Sequence, residues 1–255
     1  MKTISIFLFF VAGHACVAQD LSDSLKIDEY YRSFHFRKPS FATQGASLVF
    51  VLHGSGGSGR DLMKQTANLL NSTHDEKVIF VYPDGYKHYW NECRKAASSL
   101  ANKLDINEGK FFGEMISYFR KKYGIDDRQV FAVGTSGGGH MCYKLALTEP
   151  HKFKAIAAII ANLPDDDNMD CVEAKVALPV MIVNGTADPL NKYEGGMMQS
   201  GTFVMGNVRS TERTFSYWAT LAGYHGTPMM TKLDDTDPSD GKTIERYTFK
   251  EKGLP

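Results

Sequence analysis

Val130-Phe-Ala-Val-Gly-Thr-Ser-Gly-Gly-Gly139 decides how the rest of the chain is read. A short apolar run ends in Gly134-Thr135-Ser136-Gly137-Gly138, and a helical pattern follows at once. This is G-x-S-x-G in the context that gives the pattern meaning: strand, sharp turn, helix. Such a turn lifts the Ser136 hydroxyl above the sheet edge, and the small residues at 134 and 138 let strand and helix approach closely. The Gly137 N–H and the positive helix end then face a developing oxyanion. Ser136 is therefore the candidate nucleophile, against the plainer reading of a Gly/Ser turn.

Working outward, apolar runs alternate with helical patterns. Ser47–Leu52, Lys77–Tyr82, Gln129–Val133, Lys154–Ile160 and Leu178–Val183 read as strands buried on both faces. Asp61–Asn71, Asn107–Tyr123 and Gly138–Leu147 read as helices between them. In Asn107–Tyr123 the apolar residues Phe111, Phe112, Met115, Ile116 and Phe119 recur at the helical period, and Gly124 ends the run. Leu25–Phe36 alternates loosely and reads as one or two antiparallel edge strands closed by Pro39. This order predicts an α/β domain with a mostly parallel, doubly wound sheet and helices on both faces.

Two further loops fall at strand ends. His53-Gly-Ser-Gly-Gly-Ser-Gly59 follows the strand 47–52, where glycines let backbone approach a ligand. It lacks the Gly-Lys-Ser/Thr ending of a phosphate loop. The Ser55 N–H is assigned as the second oxyanion donor beside Gly137. Asn184-Gly-Thr-Ala-Asp-Pro189 follows the strand ending at Val183, so Asp188 sits at the edge that carries Ser136. Asp188 is the candidate triad acid, and the competing reading is an Asx turn before proline. In the aromatic loop Tyr86–Arg94, Trp90 is either a core plug or a platform for a substrate group, with Asn91 as its polar anchor. Asp165-Asp166-Asp167 reads as solvated surface. No Cys/His cluster suggests a metal, and the chemistry needs no cofactor.

The 255 residues carry 29 basic and 29 acidic side chains, a balance that argues against nucleic acid as a partner. Met1-Lys2, the apolar Ile4–Val11 and Cys16-Val17-Ala18 read as a signal peptide over residues 1–18. The apolar part is too short for a membrane span. The expectation is a secreted protein, extracellular or periplasmic, with one domain over 19–255. After export Cys93, Cys142 and Cys171 remain. Cys142 falls on a buried helix face, while Cys93 and Cys171 lie in loops and are open to pairing.

Taken together, Leu52-His-Gly-Ser-Gly-Gly57, Tyr82-Pro-Asp-Gly85, Trp90-Asn91, Tyr123-Gly-Ile-Asp126, Gly134-Thr-Ser-Gly-Gly138 and Asn184–Pro189 resemble the poly(3-hydroxybutyrate) depolymerase-like esterases. These overlap the feruloyl and acetylxylan esterases of carbohydrate esterase family 1. The pieces occur in the family's order from about residue 32 onward. The resemblance implies an α/β-hydrolase fold, Ser136 as nucleophile, Asp188 as acid, and an oxyanion hole from Gly137 and Ser55. Many members carry Cys at the place of Ser55, an exchange that a backbone donor tolerates. The implied substrates are feruloyl or acetyl esters on plant polysaccharide, with hydroxyalkanoate polyesters as the alternative. One departure stands out: the family's histidine lies in a C-terminal Gly-Gly-His, and no residue here matches it. Lys242–Phe249 resembles the segment before the last strand. The reading is a chain truncated at its C-terminus, with that strand missing from the sheet. His225 is the sole histidine after Asp188 and reads as a loop residue. His140 is expected to point away from Ser136, and His53 to support its loop. An inactive binding protein on a hydrolase fold is the second class of function left open.

Overall fold

The computed structural model describes residues 19–39, 43–67 and 77–255. The export segment expected at residues 1–18 lies outside them, as does the part of the expected Asp61–Asn71 helix beyond residue 67. The first elements are β1 (Gln19–Ile27) and β2 (Tyr30–Lys38), an antiparallel hairpin turned by Asp28 and Glu29. It is longer than the alternation at 25–36 predicts. Then come β3 (Ser47–Leu52), α1 (Gly59–Gln65), β4 (Val78–Pro83), the one-turn α2 (Leu100–Lys103) and α3 (Glu108–Tyr123). The nucleophile-like stretch is β5 (Val130–Thr135) followed by α4 (Gly137–Thr148). β6 (Ala155–Ile159) and β7 (Val180–Val183) follow.

Among the described residues these seven strands form one sheet in the order β1-β2-β4-β3-β5-β6-β7. The strands from β4 to β7 are parallel, and β1–β2 adds an antiparallel edge. All carboxyl ends of the parallel strands therefore share one edge of the sheet. The loops after β3, β5 and β7 emerge there together.

Helices cover both faces. Phe50, Val81 and Ala132 are direct neighbours across β3, β4 and β5 and point to one side. On that side Phe50 meets Phe112 edge-on, and Phe34 and Phe36 meet Phe119 of α3. Tyr82, displaced by one residue from Val81, faces the other side, where its hydroxyl meets Thr66 just after α1. Burial alternates along β3 and β5, complete on one face and partial on the other. Continuous apolar runs predict equal burial of both faces. The shorter α1 shields its side less fully than the four-turn α3.

The caps follow the local sequence. Ser58 accepts the Asp61 N–H at the start of α1, and Asn107 accepts that of Lys110 at the start of α3. Gly124 ends α3 at φ 64°. Cys93 and Cys171 form a disulfide across 78 residues, while Cys142 is free and buried. The chain beyond β7 departs from a simple βα alternation. It forms the hairpin β8 (Gly196–Ser200)–β9 (Phe203–Val208), then α5 (Thr211–Leu221). A second hairpin, β10 (Met229–Lys232)–β11 (Glu245–Thr248), follows. The stretch 242–249 thus pairs locally with β10, and among the described residues no strand pairs with the outer edge of β7.

Candidate active site

The turn between β5 and α4 has the strained geometry its sequence predicts. Ser136 adopts φ 55°, ψ −118°, a conformation that a β-carbon disfavours. The surrounding glycines make the turn possible by absence. A Cβ on Gly134 would collide with the Gly138 carbonyl, and one on Gly138 with the Leu52 carbonyl. Ser136 occupies the N-cap position of α4, yet its side chain makes no capping hydrogen bond. Its hydroxyl is half-buried and free of any partner among the described residues.

The loop after β3 lies directly against this turn. A Cβ on Gly54 would lie 3.5 Å from that of Ser136, and one on Gly137 would lie 2.9 Å from the Ser55 nitrogen. The backbone at Ser55 therefore packs directly against Gly137. His53 holds the loop in place: Nδ1–H donates to the Gly54 carbonyl at 2.7 Å, and Nε2 accepts the Gly85 N–H at 2.9 Å. Those two bonds define a neutral tautomer. Burial pushes the His53 pKa down, against the opposing pull of the Gly54 carbonyl and Asp84.

Asp188 is half-buried in the turn after β7. Its Oδ1 accepts the backbone N–H groups of Leu190 and Asn191, each at 2.8 Å. Both readings of Asp188 survive, because an Asx turn occupies one oxygen and leaves the other. An asparagine network that the motifs do not announce anchors the loop. Asn184 Oδ1 accepts the Ala161 N–H, and its Nδ2 donates to Asn162 Oδ1 and Thr211 Oγ1 at 2.8 and 2.9 Å. Asn184 opens the Asn-Gly-Thr-Ala-Asp stretch, so its place at the strand end was the available signal.

Trp90 and Asn91 correct an expectation. Trp90 is 3 % exposed, with its Nε1–H donating to the His53 carbonyl and its ring packed beside His53 and Phe112. Asn91 is 6 % exposed, and its amide donates to Asp105 Oδ1 and the Ile106 carbonyl. Neither offers a free face to a substrate. A buried indole needs a partner for its N–H, and the adjacent loop after β3 supplies one. The acidic run also differs from a purely solvated surface: Asp165 pairs with Arg213 and Asp166 with Arg209, both at 2.8 Å. Among the described residues no group of three or more potential metal ligands converges.

No histidine among the described residues is hydrogen-bonded to Ser136 or Asp188. His140 is buried behind the turn, with neither ring nitrogen in a hydrogen bond. Burial holds its pKa well down, and the Arg94 charge adds to this. His225 is exposed. The complete Ser–His–Asp relay in the structure lies elsewhere. His35 joins Ser22 Oγ at 2.7 Å through Nδ1 and Asp84 Oδ2 at 3.2 Å through Nε2.

No protein-family model matches the chain. Curated relatives include the putative esterase NocK of Nocardia uniformis subsp. tsuyamanensis, 27 % identical over 154 residues, covering 60 % of this chain and 43 % of that protein. The probable feruloyl esterase C of Aspergillus terreus is 26 % identical over 164 residues, 63 % of this chain and 55 % of its own. The acetylxylan esterase A of Aspergillus oryzae is 24 % identical over 207 residues, 73 % of this chain and 66 % of its own. The chain spans about half the length of the first two. Among solved structures, native pOPH superposes with a TM-score of 0.55 at 17 % identity, over 76 % of this chain and 74 % of that one. A thermostable esterase does so at 0.51 and 18 %, over 69 % and 48 %. The chain is similar in sequence to feruloyl and acetylxylan esterases, and its fold is that of the α/β-hydrolases.

Proposed function

We propose that the chain is a serine carboxylic-ester hydrolase of the feruloyl or acetylxylan type, exported to act on esters of plant polysaccharide. The observation that carries this reading is the Ser136 turn. It joins a left-handed serine, an unspent hydroxyl and two neighbouring amides at the carboxyl edge of a parallel sheet. In this reading Ser136 Oγ attacks the ester carbonyl carbon, and the oxyanion takes the Ser55 and Gly137 N–H groups. The alcohol leaves, and water then cleaves the acyl-enzyme. In this reading a histidine that is not among those seen beside Ser136 takes the Ser136 proton and returns it to the departing alcohol, and Asp188 would orient and stabilise its imidazolium. The relatives' names, feruloyl and acetylxylan esterase, support the substrate class. Among the described residues no helix is long and apolar enough to cross a membrane.

One observation favours a second reading. No described histidine reaches Ser136 or Asp188, which suits a protein that binds an ester-bearing polysaccharide without cleaving it. Hydrolysis of methyl ferulate, acetylated xylan and a short hydroxybutyrate oligomer by the full chain, beside Ser136→Ala, separates the two. Turnover of the first two substrates that disappears in the variant supports the esterase. Preference for the oligomer moves the substrate to polyesters. Equal background rates for chain and variant, with retained binding of xylan, replace the enzyme by the binder.

A further inference from the structure

We infer that Ser22 is a second activated serine, served by His35 as base and Asp84 as orienting acid, and that it accepts acyl or phosphonyl groups from small activated esters. This goes beyond the function proposed for Ser136 and does not depend on it. The relay follows from strand register. Ser22 and His35 are direct partners across β1 and β2, and His35 is in turn the partner of Tyr82 on β4, two residues before Asp84. All three therefore reach the face of the sheet on which α1 lies.

The hydrogen-bond directions are set in order. Asp84 Oδ2 accepts the Ser33 hydroxyl at 2.6 Å, and Oδ1 accepts the Gly59 N–H at 2.7 Å. Burial works to raise the Asp84 pKa, but these bonds and the one from His35 outweigh it and hold the carboxyl down at about 2. An ionised carboxylate only accepts, so Nε2 is the ring nitrogen that donates to Asp84. Nδ1 is left with a lone pair, 2.7 Å from Ser22 Oγ, and Ser22 donates to it. A hydroxyl on a base that a third group orients is the structural signature of an activated nucleophile. His35 is 5 % exposed and fixed at both nitrogens, while Ser22 is exposed. The three side chains line an open groove of about 700 Å³, whose wall also carries Arg60 and Lys87. Asp23 and Asp61 line the same groove, and Arg60 and Lys87 are the cations in its lining that would face the developing charge.

In the reaction Ser22 Oγ forms a bond to the acyl carbon and its proton passes to His35 Nδ1. The bond from carbon to the ester's alcohol oxygen breaks, and the departing alcohol takes the proton. With a fluorophosphonate the new bond is to phosphorus, fluoride leaves, and the proton passes through His35 to solvent.

Ser24 provides an internal standard. It lies two residues along β1, on the same face and exposed, and is paired in register with Ser33 instead of a histidine. The experiment treats the full chain carrying Ser136→Ala with an alkyl fluorophosphonate and follows adducts on Ser22 and Ser24 by peptide mass spectrometry. Ser22 is expected to react about 100-fold faster than Ser24, the size of a general-base effect. His35→Gln, checked for native circular dichroism, is expected to bring Ser22 down to the Ser24 rate. Equal rates at Ser22 and Ser24 in the chain with His35 intact overturn the proposal and leave the relay a brace between strands. A Ser22 rate unchanged by His35→Gln overturns it as well. The Ser22/Ser24 ratio decides the matter even where the His35 variant does not fold. Because Ser136 is absent throughout, failure here says nothing against the esterase reading.

Discussion

Two serines in this molecule stand in complementary surroundings, one rich in backbone features and the other in side-chain partners. At Ser136 the backbone supplies a strained turn, the Ser55 backbone packed against Gly137, and a helix N-terminus behind them. Among the described residues no histidine meets the hydroxyl. At Ser22 the side-chain partners are present, with hydroxyl, imidazole and carboxylate in series. Its backbone lies in an edge strand and offers no turn of amides. The difference shows that the parts of a serine hydrolase arise from separate structural causes. Oxyanion donors come from steric permission at glycines, whereas a relay comes from register between strands. Either can form without the other.

The comparison breaks most sharply under Ser136→Ala. If the turn performs the chemistry, kcat/KM for a chromogenic ester should fall by orders of magnitude, up to about 10⁶-fold, the scale expected when a serine nucleophile is removed. Steady-state kinetics on the full chain reads this, and residual turnover well above that level would transfer activity to another serine.

A smaller effect tests the steric cause of the turn. Gly138→Val places a branched side chain against the Leu52 carbonyl and the His53 carbonyl, which a first carbon would already approach to 2.8 Å. Overpacking of this kind costs about 3 kcal/mol, so denaturant midpoints should drop clearly. A midpoint at the wild-type value would show that strand and helix have room to separate.

Asp84 tests the relay through pH. Its pKa is lowered on folding from the ordinary 3.8 to about 2, so the unfolded chain binds this proton more readily. The stabilisation is therefore fully present above pH 4 and is lost as pH falls through 4 toward 2. The shift corresponds to about 2 kcal/mol at most. Urea titrations should show Asp84→Asn less stable than wild type at pH 7, with the difference shrinking toward pH 2. A constant difference would assign the loss to packing.

The smallest effect is expected at the acid's loop. Asn184→Ala leaves the Ala161 N–H and the Asn162 side chain short of a partner, for about 1–2 kcal/mol. If Asp188 serves Ser136, ester turnover should fall together with stability. Lost stability with unchanged turnover would leave Asp188 as a turn residue.

Much of the central architecture was legible because it rests on local signals. The β5 turn was legible from Gly134, Ser136 and Gly138, since few sequences tolerate that backbone. The α3 helix was legible from its apolar period and from Gly124, to within one residue at its start. The two hairpins after β7 were not: Gly196–Val208 lacks clean alternation, and β10 finds its partner across a twelve-residue loop. Between the core and substrate readings of Trp90 and Asn91 the sequence could not choose, for a related reason. Polar neighbours in sequence suggested a wet surface, but Glu92 and Arg94 are themselves buried, paired with each other at 2.8 Å. The Ser22 relay was invisible, because Ser22 and Asp84 come together only through the pairings of β1 with β2 and β2 with β4.

By itself the sequence determined the parallel core, the place of Ser136 at its edge, and the company of the Ser55 and Asp188 loops there. Hydrophobic period, glycine spacing and chain order are properties of neighbours along the chain, and they suffice for that much. Only the tertiary structure decided which polar groups meet. It seated His53 as a neutral brace, buried Trp90 on it, withheld every described histidine from Ser136, and set His35 between Ser22 and Asp84. Hydrogen bonds of about 3 Å between residues tens of positions apart depend on register and packing across strands, and no local pattern encodes them.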